Sequence, residues 1–488
     1  MYTYNKLYFQ YKKLYSIYLK KIVLILNKFH QKKYSNAYWE PIIGLYLRRF
    51  ILNYLFLKDR LSQKKNFNSL NIKKVKFFRN YREFSSFNDF EIINKKYFNK
   101  FNSVKEIDNY KIKKLNLFLK AINSIKIFPS NLLIKLKITK VLFHESYFKK
   151  NLRRIFSLKS FLYFFSLPNL KLETYKVDKL KILKNRVNLL KNSNDLINND
   201  ILLKNIIFSM PINYIENYET IFNEVEKISL SNALYVDGTE VNFDFIKFLI
   251  AKLRINKKKI LTGQHSLRSG IQDYDSYFDY IKSISSRFLT WGWNDKSNLI
   301  YKFSSFRIFS STKKYKKIKK NDQTSNICFI LCSYSKVGEC LYDNFIENKK
   351  AENARIKLLD DLNNFKKNKI FLKPRTGSFI IDKKKKFYQK FDIYKEKTRM
   401  YDIFGKFDVV VFERLSLGIV ESIYLDQPTI FYYPKNLYKT KNRQYNQLIS
   451  LLKKANIYFT NIDKIKEIIK SPNNVSNWWY KKKNIRNR

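Results

Sequence analysis

The sequence predicts an α/β protein made of two Rossmann-like halves preceded by a helical N-terminal region. Three observations predict it. The chain has 488 residues, more than one ordinary core accommodates. Short apolar runs of strand length alternate with helix-period segments on both sides of a basic run at Lys313 to Lys320. Several of those runs end on a Gly or Pro turn, as strands feeding loops do. The expected domains are residues 1–115, helical with an irregular insertion, residues 116–285, the first Rossmann-like half, and residues 286–488, the second.

Taken in order, Leu14, Tyr18, Ile22, Ile25 and Phe29 recur at three and four residues and predict one helix. Trp39 to Leu57 predicts a second, with Pro41 in its first turn, where a missing N–H costs little. Leu61 to Lys114 is polar, aromatic and Lys-rich, without a clear period. Thr139 to Phe143 reads as a short strand. Ala233 to Val236 is a second, closed by the turn signal Asp237-Gly238. Phe243 to Leu253 is helical, and Lys259 to Leu261 is the next strand, ending at Thr262-Gly263.

The rhythm then repeats. Asn326 to Cys332 is apolar enough for a buried parallel strand. Asn353 to Phe365 predicts a helix, and Ile370 to Leu372 a strand stopping at Lys373-Pro374-Arg375. Phe407 to Phe412, with three consecutive valines, is the strongest strand signal. Leu417 to Tyr424 follows as a helix and Pro428 to Tyr432 as a strand. Lys481 to Arg488 is a basic tail.

Lys plus Arg number 97 against 40 Asp plus Glu, a net charge of +57. Such a field attracts phosphate groups in nucleotides, nucleic acids or lipid headgroups. The lysines are spread along the chain, and Lys, Asn, Ile, Phe and Tyr dominate over 9 Gly and 8 Pro, the profile of an AT-rich genome. That spread does not favour a dedicated nucleic-acid binder. Cys328, Cys332 and Cys340 lack zinc spacing and a nearby His, and read as structural thiols in a reducing compartment. No apolar stretch reaches the roughly 18–20 residues of a membrane span, and no signal-peptide pattern opens the chain. A cytoplasmic protein is expected, in peripheral contact with an anionic membrane face.

Four segments carry a resemblance. They are Leu26-Asn27 with His30, Tyr38-Trp39 and Gly44; Gln264-His265; Arg287 to Trp293, containing Thr-Trp-Gly-Trp; and Glu421 with Gln427-Pro428-Thr429-Ile430, followed by Trp478-Trp479. In order and spacing they resemble bacterial transferases of surface-carbohydrate (lipopolysaccharide-type) biosynthesis over most of the chain. The match departs at Ser266-Leu267, where that group carries glycines, and at Ser286, where it carries an acidic residue. The resemblance implies a GT-B fold, two Rossmann-like domains facing across a cleft. It also implies a transferase moving a sugar or related group from a nucleotide-activated donor to a glycan or lipid-linked acceptor.

On that reading His265, behind a strand and a Thr-Gly turn, is the candidate catalytic base for the acceptor hydroxyl; the alternative is a histidine bonded to backbone. Ser416, Gly418 and Glu421 are candidate donor-binding residues. A helix starting there would aim free amides at a phosphate, Gly418 would admit it, and Glu421 would accept from a sugar hydroxyl; an ordinary helix capped by Ser416 is the alternative. Arg375 would hold a diphosphate bidentately, or be a surface arginine. Asp273-Tyr274-Asp275 resembles a metal-binding carboxylate pair but precedes a helical stretch, and neither metal nor cofactor is expected. Trp291 and Trp293 read as packing residues alternating along a strand, and His30 and His144 as structural. The competing function is a basic RNA-binding or ribosome-associated protein without catalysis.

Overall fold

The computed structural model describes residues 2–62, 117–144, 158, 160–167, 179–198, 200–267, 269–295, 297–303, 325–331, 345–363, 368–374, 387–394, 403–433 and 442–481. The irregular segment expected at Leu61 to Lys114, the basic run at Lys313 to Lys320, nearly all of the basic tail, Cys332, Cys340 and Arg375 lie wholly or almost wholly outside them. The chain divides into two compact units. The first comprises 1–263, 276–290 and 294–302; the second comprises 264–275, 291–293 and 303–488.

The first unit opens with α1 (Tyr2–His30) and α2 (Asn36–Ser62). Residues 41–52 of α2 are buried without a break, so this helix is packed on all sides. α2 starts three residues before the expected Trp39, because Ser35 O already accepts from the amides of Tyr38 and Trp39. Pro41 therefore stands inside the helix and costs it a hydrogen bond. Separately, the Pro41 carbonyl accepts from the Tyr280 hydroxyl at 2.8 Å, which ties α2 to the segment that carries Tyr280.

Next come α3 (Leu117–Lys135), β1 (Val141–His144), β2 (Phe164–Ser166), α4 (Lys179–Asn192), α5 (Asn194–Ile197) and α6 (Ile201–Ser209). They are followed by α7 (Tyr218–Glu226), β3 (Ala233–Val236), α8 (Thr239–Asn242), α9 (Asp244–Ile255), β4 (Lys259–Gly263), α10 (Ser276–Ile284), β5 (Arg287–Trp291) and β6 (Ile300–Phe303). The strands form one sheet in the order β2-β1-β3-β4-β5-β6, with β1 to β5 parallel. The chain builds outward from β1 in one direction and from β3 in the other. The topological switch point, where ligands bind in open α/β sheets, therefore lies between the carboxyl ends of β1 and β3.

The second unit holds β7 (Ser325–Ile330), α11 (Phe345–Asn363), β8 (Asn368–Lys373), β9 (Asp392–Ile393), β10 (Val409–Phe412), α12 (Leu417–Tyr424), β11 (Thr429–Tyr432), α13 (Arg443–Lys454), β12 (Tyr458–Phe459), α14 (Ile462–Ile469) and α15 (Pro472–Trp479). All its strand pairs are parallel, in the order β12-β11-β10-β7-β8-β9, with the switch point between β7 and β10.

Both faces of this sheet are covered. Ile327, Phe329, Val409 and Val411 pack with Leu358, Leu362, Ile465 and Ile469 on one side. The alternate residues Cys328, Ile330, Val410 and Phe412 pack with Ile419, Tyr445, Leu452 and Trp479 on the other. Successive side chains of a strand point to opposite faces, so a continuous apolar run can only be a strand buried on both. The protein is thus α/β, with two parallel-sheet units, as the alternating rhythm predicts.

One expectation changes. Trp293 is not on the strand with Trp291: β5 stops at Trp291, and Gly292 at φ +96° turns the chain. Such a φ favours glycine. β1 likewise ends on a histidine, His144.

Candidate functional site

In the first unit, the switch point presents His144 from β1 and the turn after β3. His144 is buried, with Phe243 and Phe245 edge-on at 5.3 Å each, which suits a packing residue. Asp237 and Glu240 follow β3 and are both buried. Tyr277 donates its hydroxyl to Glu240 Oε1 at 2.6 Å, while Oε2 has no partner among the described residues. Loss of solvent raises the Glu240 carboxyl above its ordinary range, because burial penalises the charged form. Nearby, Lys247 is wholly buried between Asp244 Oδ1 at 2.9 Å and the Tyr214 hydroxyl at 2.6 Å, and burial lowers its ammonium.

His30 sits elsewhere in the same unit. It stacks on Tyr218 at 4.0 Å and reaches the Tyr214 carbonyl at 3.2 Å. Burial pulls its imidazole down to about 4. Asn27 Oδ1 accepts from the Trp39 indole at 2.8 Å and from the Tyr34 amide, so Asn27 holds the α1–α2 turn.

In the second unit, Gln264 and His265 leave the carboxyl end of β4, and residues 264–275 pack there rather than with the sheet that delivers them. Gly263 admits this exit: an added Cβ would collide with the Tyr235 ring. Gln264 is 1 % exposed and uses both ends of its amide. Its Oε1 accepts from the Trp291 amide at 2.8 Å and from the Trp293 indole at 2.9 Å. Its Nε2 donates to the carbonyls of Ser266 and Leu267. The Gln-His and Thr-Trp-Gly-Trp segments are therefore one structural element. His265 is half-buried, and just after it the Ser266 and Ser269 hydroxyls bond to each other at 3.0 Å.

The turn after β10 carries the other candidates. Ser416 occupies the N-cap of α12, but its hydroxyl makes no capping bond, unlike the side chains of Asn442 and Ser471 at the starts of α13 and α15. Gly418 and Glu421 are buried on α12. Leu415 and Ile419 belong to the same apolar cluster as Leu267 and Ile271. The structure thus ties the His265 turn and the start of α12 to one core, beside the β7/β10 switch point.

A pair not anticipated from the sequence stands at this strand end. Arg355 on α11 grips Glu413, the residue after β10, through Nε at 2.6 Å and Nη2 at 2.7 Å, with both side chains buried. A carboxylate abutting an all-apolar strand must find a partner; that was the available signal. Lys373, at the end of β8, is also buried and donates to the Pro374 carbonyl at 2.9 Å. Gln427, from the fourth resemblance segment, is structural: it accepts from the Gly405 amide at 2.6 Å and donates to the Phe407 carbonyl at 3.1 Å.

Asp273 and Asp275 precede α10, and among the described residues no cluster of His, Cys, Asp and Glu has the makings of a metal site. Cys328 is buried in the sheet core, where lost solvation pushes its thiol up. Among the described residues no helix is long and apolar enough to cross a membrane.

A family model described as LIC12162 family transferase matches residues 3–487. No curated protein matches the chain. Among solved structures, MurG of Acinetobacter baumannii is similar at 10 % identity over 71 % of this chain and 95 % of that one, with a TM-score of 0.33, too low to carry an argument.

Proposed function

This chain belongs to the LIC12162 family of transferases, and on that premise we propose that it transfers a sugar or related group from a nucleotide-activated donor to a glycan or lipid-linked acceptor. The product class is bacterial surface polysaccharide of the lipopolysaccharide type, and the architecture is GT-B-like. The observation that carries this reading is the start of α12. Its N-terminus is left uncapped by Ser416, behind a fully buried parallel strand at the switch point of the second sheet. Free amides at a helix start favour an anion by about 0.3–1 kcal/mol per charge, and up to ~2 when partly buried.

In this reading the second unit is the donor-binding half. The Leu417 and Gly418 amides take a donor phosphate, with Arg375 as the counter-charge. Glu421 accepts from a ribose or sugar hydroxyl. His265 removes the acceptor hydroxyl proton as that oxygen bonds to the anomeric carbon. The bond from that carbon to the donor phosphate oxygen breaks, and its electron pair leaves with the nucleotide. No metal or cofactor is assigned a role. The protein works in the cytoplasm against an anionic membrane face, to which its charge of +57 draws it.

The test is a thermal-shift screen of the full chain against nucleotides and nucleotide-sugars. A true donor at about 100 times its dissociation constant adds about 2.7 kcal/mol of stability. If no nucleotide or nucleotide-sugar shifts the transition while RNA does so in a salt-sensitive way, the transferase reading fails in favour of RNA binding.

A further inference from the structure

We infer that the outward face of α3 is the surface by which the first unit lies on a bilayer with anionic headgroups; the inference rests on the membrane part of the reading above and names the contact. α3 is anchored by its inner face. Asn123, Ile127 and Ser130 are buried, and Asn131 donates to the Lys227 carbonyl at 2.6 Å and accepts from the Ser229 amide at 2.8 Å. The opposite face carries Ile125, Phe128 and Leu132, and the same spacing continues to Leu136 past the helix end. Ile125 is 71 % exposed, Phe128 63 % and Leu136 59 %. Spacings of three, four and four put these side chains in one stripe along the helix. A stripe of large apolar side chains on the outside of a unit marks an interaction surface.

A turn bonded to the end of this segment adds another exposed apolar side chain. Thr139, just beyond α3, donates its hydroxyl to the Leu162 carbonyl at 2.7 Å, and Lys140 donates its amide to the Tyr163 carbonyl. Phe161 in that turn has φ +49° and is 90 % exposed. An aromatic ring held that far into solvent has no packing role within the described residues.

Charge names the occupant. Leu117 to Lys140 contains five lysines and no carboxylate. Lys126 and Lys135 flank the stripe, Lys137 and Lys140 follow it, and none of these four makes an ion pair among the described residues. An apolar stripe edged by unneutralised lysines matches a helix lying in the plane of a membrane. Its rings and aliphatic groups enter the acyl boundary, and its lysine stems extend to anionic headgroups. A protein partner burying the same stripe would need carboxylates opposite every lysine; a bilayer surface supplies anionic phosphates without register.

The experiment is flotation of the full chain with phosphatidylcholine vesicles, with and without phosphatidylglycerol, over a salt series. The comparison is with Phe128→Glu/Leu132→Glu, Lys135→Ala/Lys137→Ala and a control, Leu451→Glu, on an exposed position of the second unit. Wild type is expected to float only with phosphatidylglycerol. The glutamate pair is expected to weaken binding about ten-fold or more, the scale of losing a buried aromatic side chain, with an unchanged melting temperature. The lysine pair should flatten the salt dependence, and the control should match wild type. If wild type floats and the glutamate pair floats equally, the α3 surface is overturned while charge-driven membrane binding survives. If wild type does not float, both fail. Self-association that the glutamate pair abolishes, without flotation, assigns the face to a second copy and overturns the proposal.

Discussion

Gln264 Oε1 accepts two hydrogen bonds at once, from the Trp291 amide at 2.8 Å and the Trp293 indole at 2.9 Å. These bonds join two stretches more than twenty residues apart that leave adjacent strands. The arrangement depends on Gly292, whose φ of +96° brings Trp293 back toward the oxygen that already holds Trp291. The consequence for His265 is positional: the residue before it has no remaining freedom.

Gln264→Leu keeps the volume and removes both ends of the amide. Two partly buried donors lose their acceptor, at about 1–3 kcal/mol each. The expected loss in chemical denaturation is therefore roughly 2–6 kcal/mol, toward the lower end because both donors are partly exposed. A variant as stable as wild type would mean that water replaces the amide and that the clasp is ornamental.

Arg355 and Glu413 form a bidentate pair with both side chains buried. Removing one partner strands a buried charge, at about 3–5 kcal/mol. Arg355→Met or Glu413→Leu alone should destabilise the protein by that amount. The double variant should recover most of the loss, because no charge is left without its partner. A double-mutant cycle with no coupling would rule out a direct interaction.

His30 makes stability pH-dependent. Its imidazole titrates at about 4 when folded, against an ordinary 6.5, chiefly because burial disfavours the cation; the nearby Lys32 adds to this and the bond to the Tyr214 carbonyl opposes it. A lowered folded value means full stability above pH 6.5. Stability is lost as pH falls through 6.5 toward about 4, where the unfolded chain takes up the proton first. The total is on the order of 3 kcal/mol. His30→Gln should show a smaller loss of melting temperature over that window. An identical pH profile for both proteins would exclude His30 as the cause.

Glu421→Ala and Arg375→Ala should each weaken nucleotide-sugar binding in calorimetric titration while leaving the fold intact. Unchanged isotherms for both would remove the donor site from the α12 start.

His265→Asn should leave donor binding nearly unchanged and lower turnover by on the order of 10²-fold or more, the scale of losing a general base. If the variant turns over like wild type, the base lies elsewhere. Asp237 and Glu240 then come first, since they stand at the β1/β3 switch point and Glu240 is already buried against Tyr277.

The sequence by itself determined the elements. Val409 to Phe412 could only be a strand buried on both faces, and Ala233-Val236 and Leu417–Tyr424 fall where local periodicity and turn signals put them. These are short-range properties, written in residues that touch along the chain. What only the tertiary structure decided is who meets whom. Nothing local in Gln264 says that Trp293 will share its oxygen, that Glu413 will find Arg355, or that residues 264–275 will pack away from the strand that delivers them. Buried polar groups must be paired wherever the fold brings a partner within reach. That partner is chosen by strand order and helix packing, which contacts between residues tens of positions apart create.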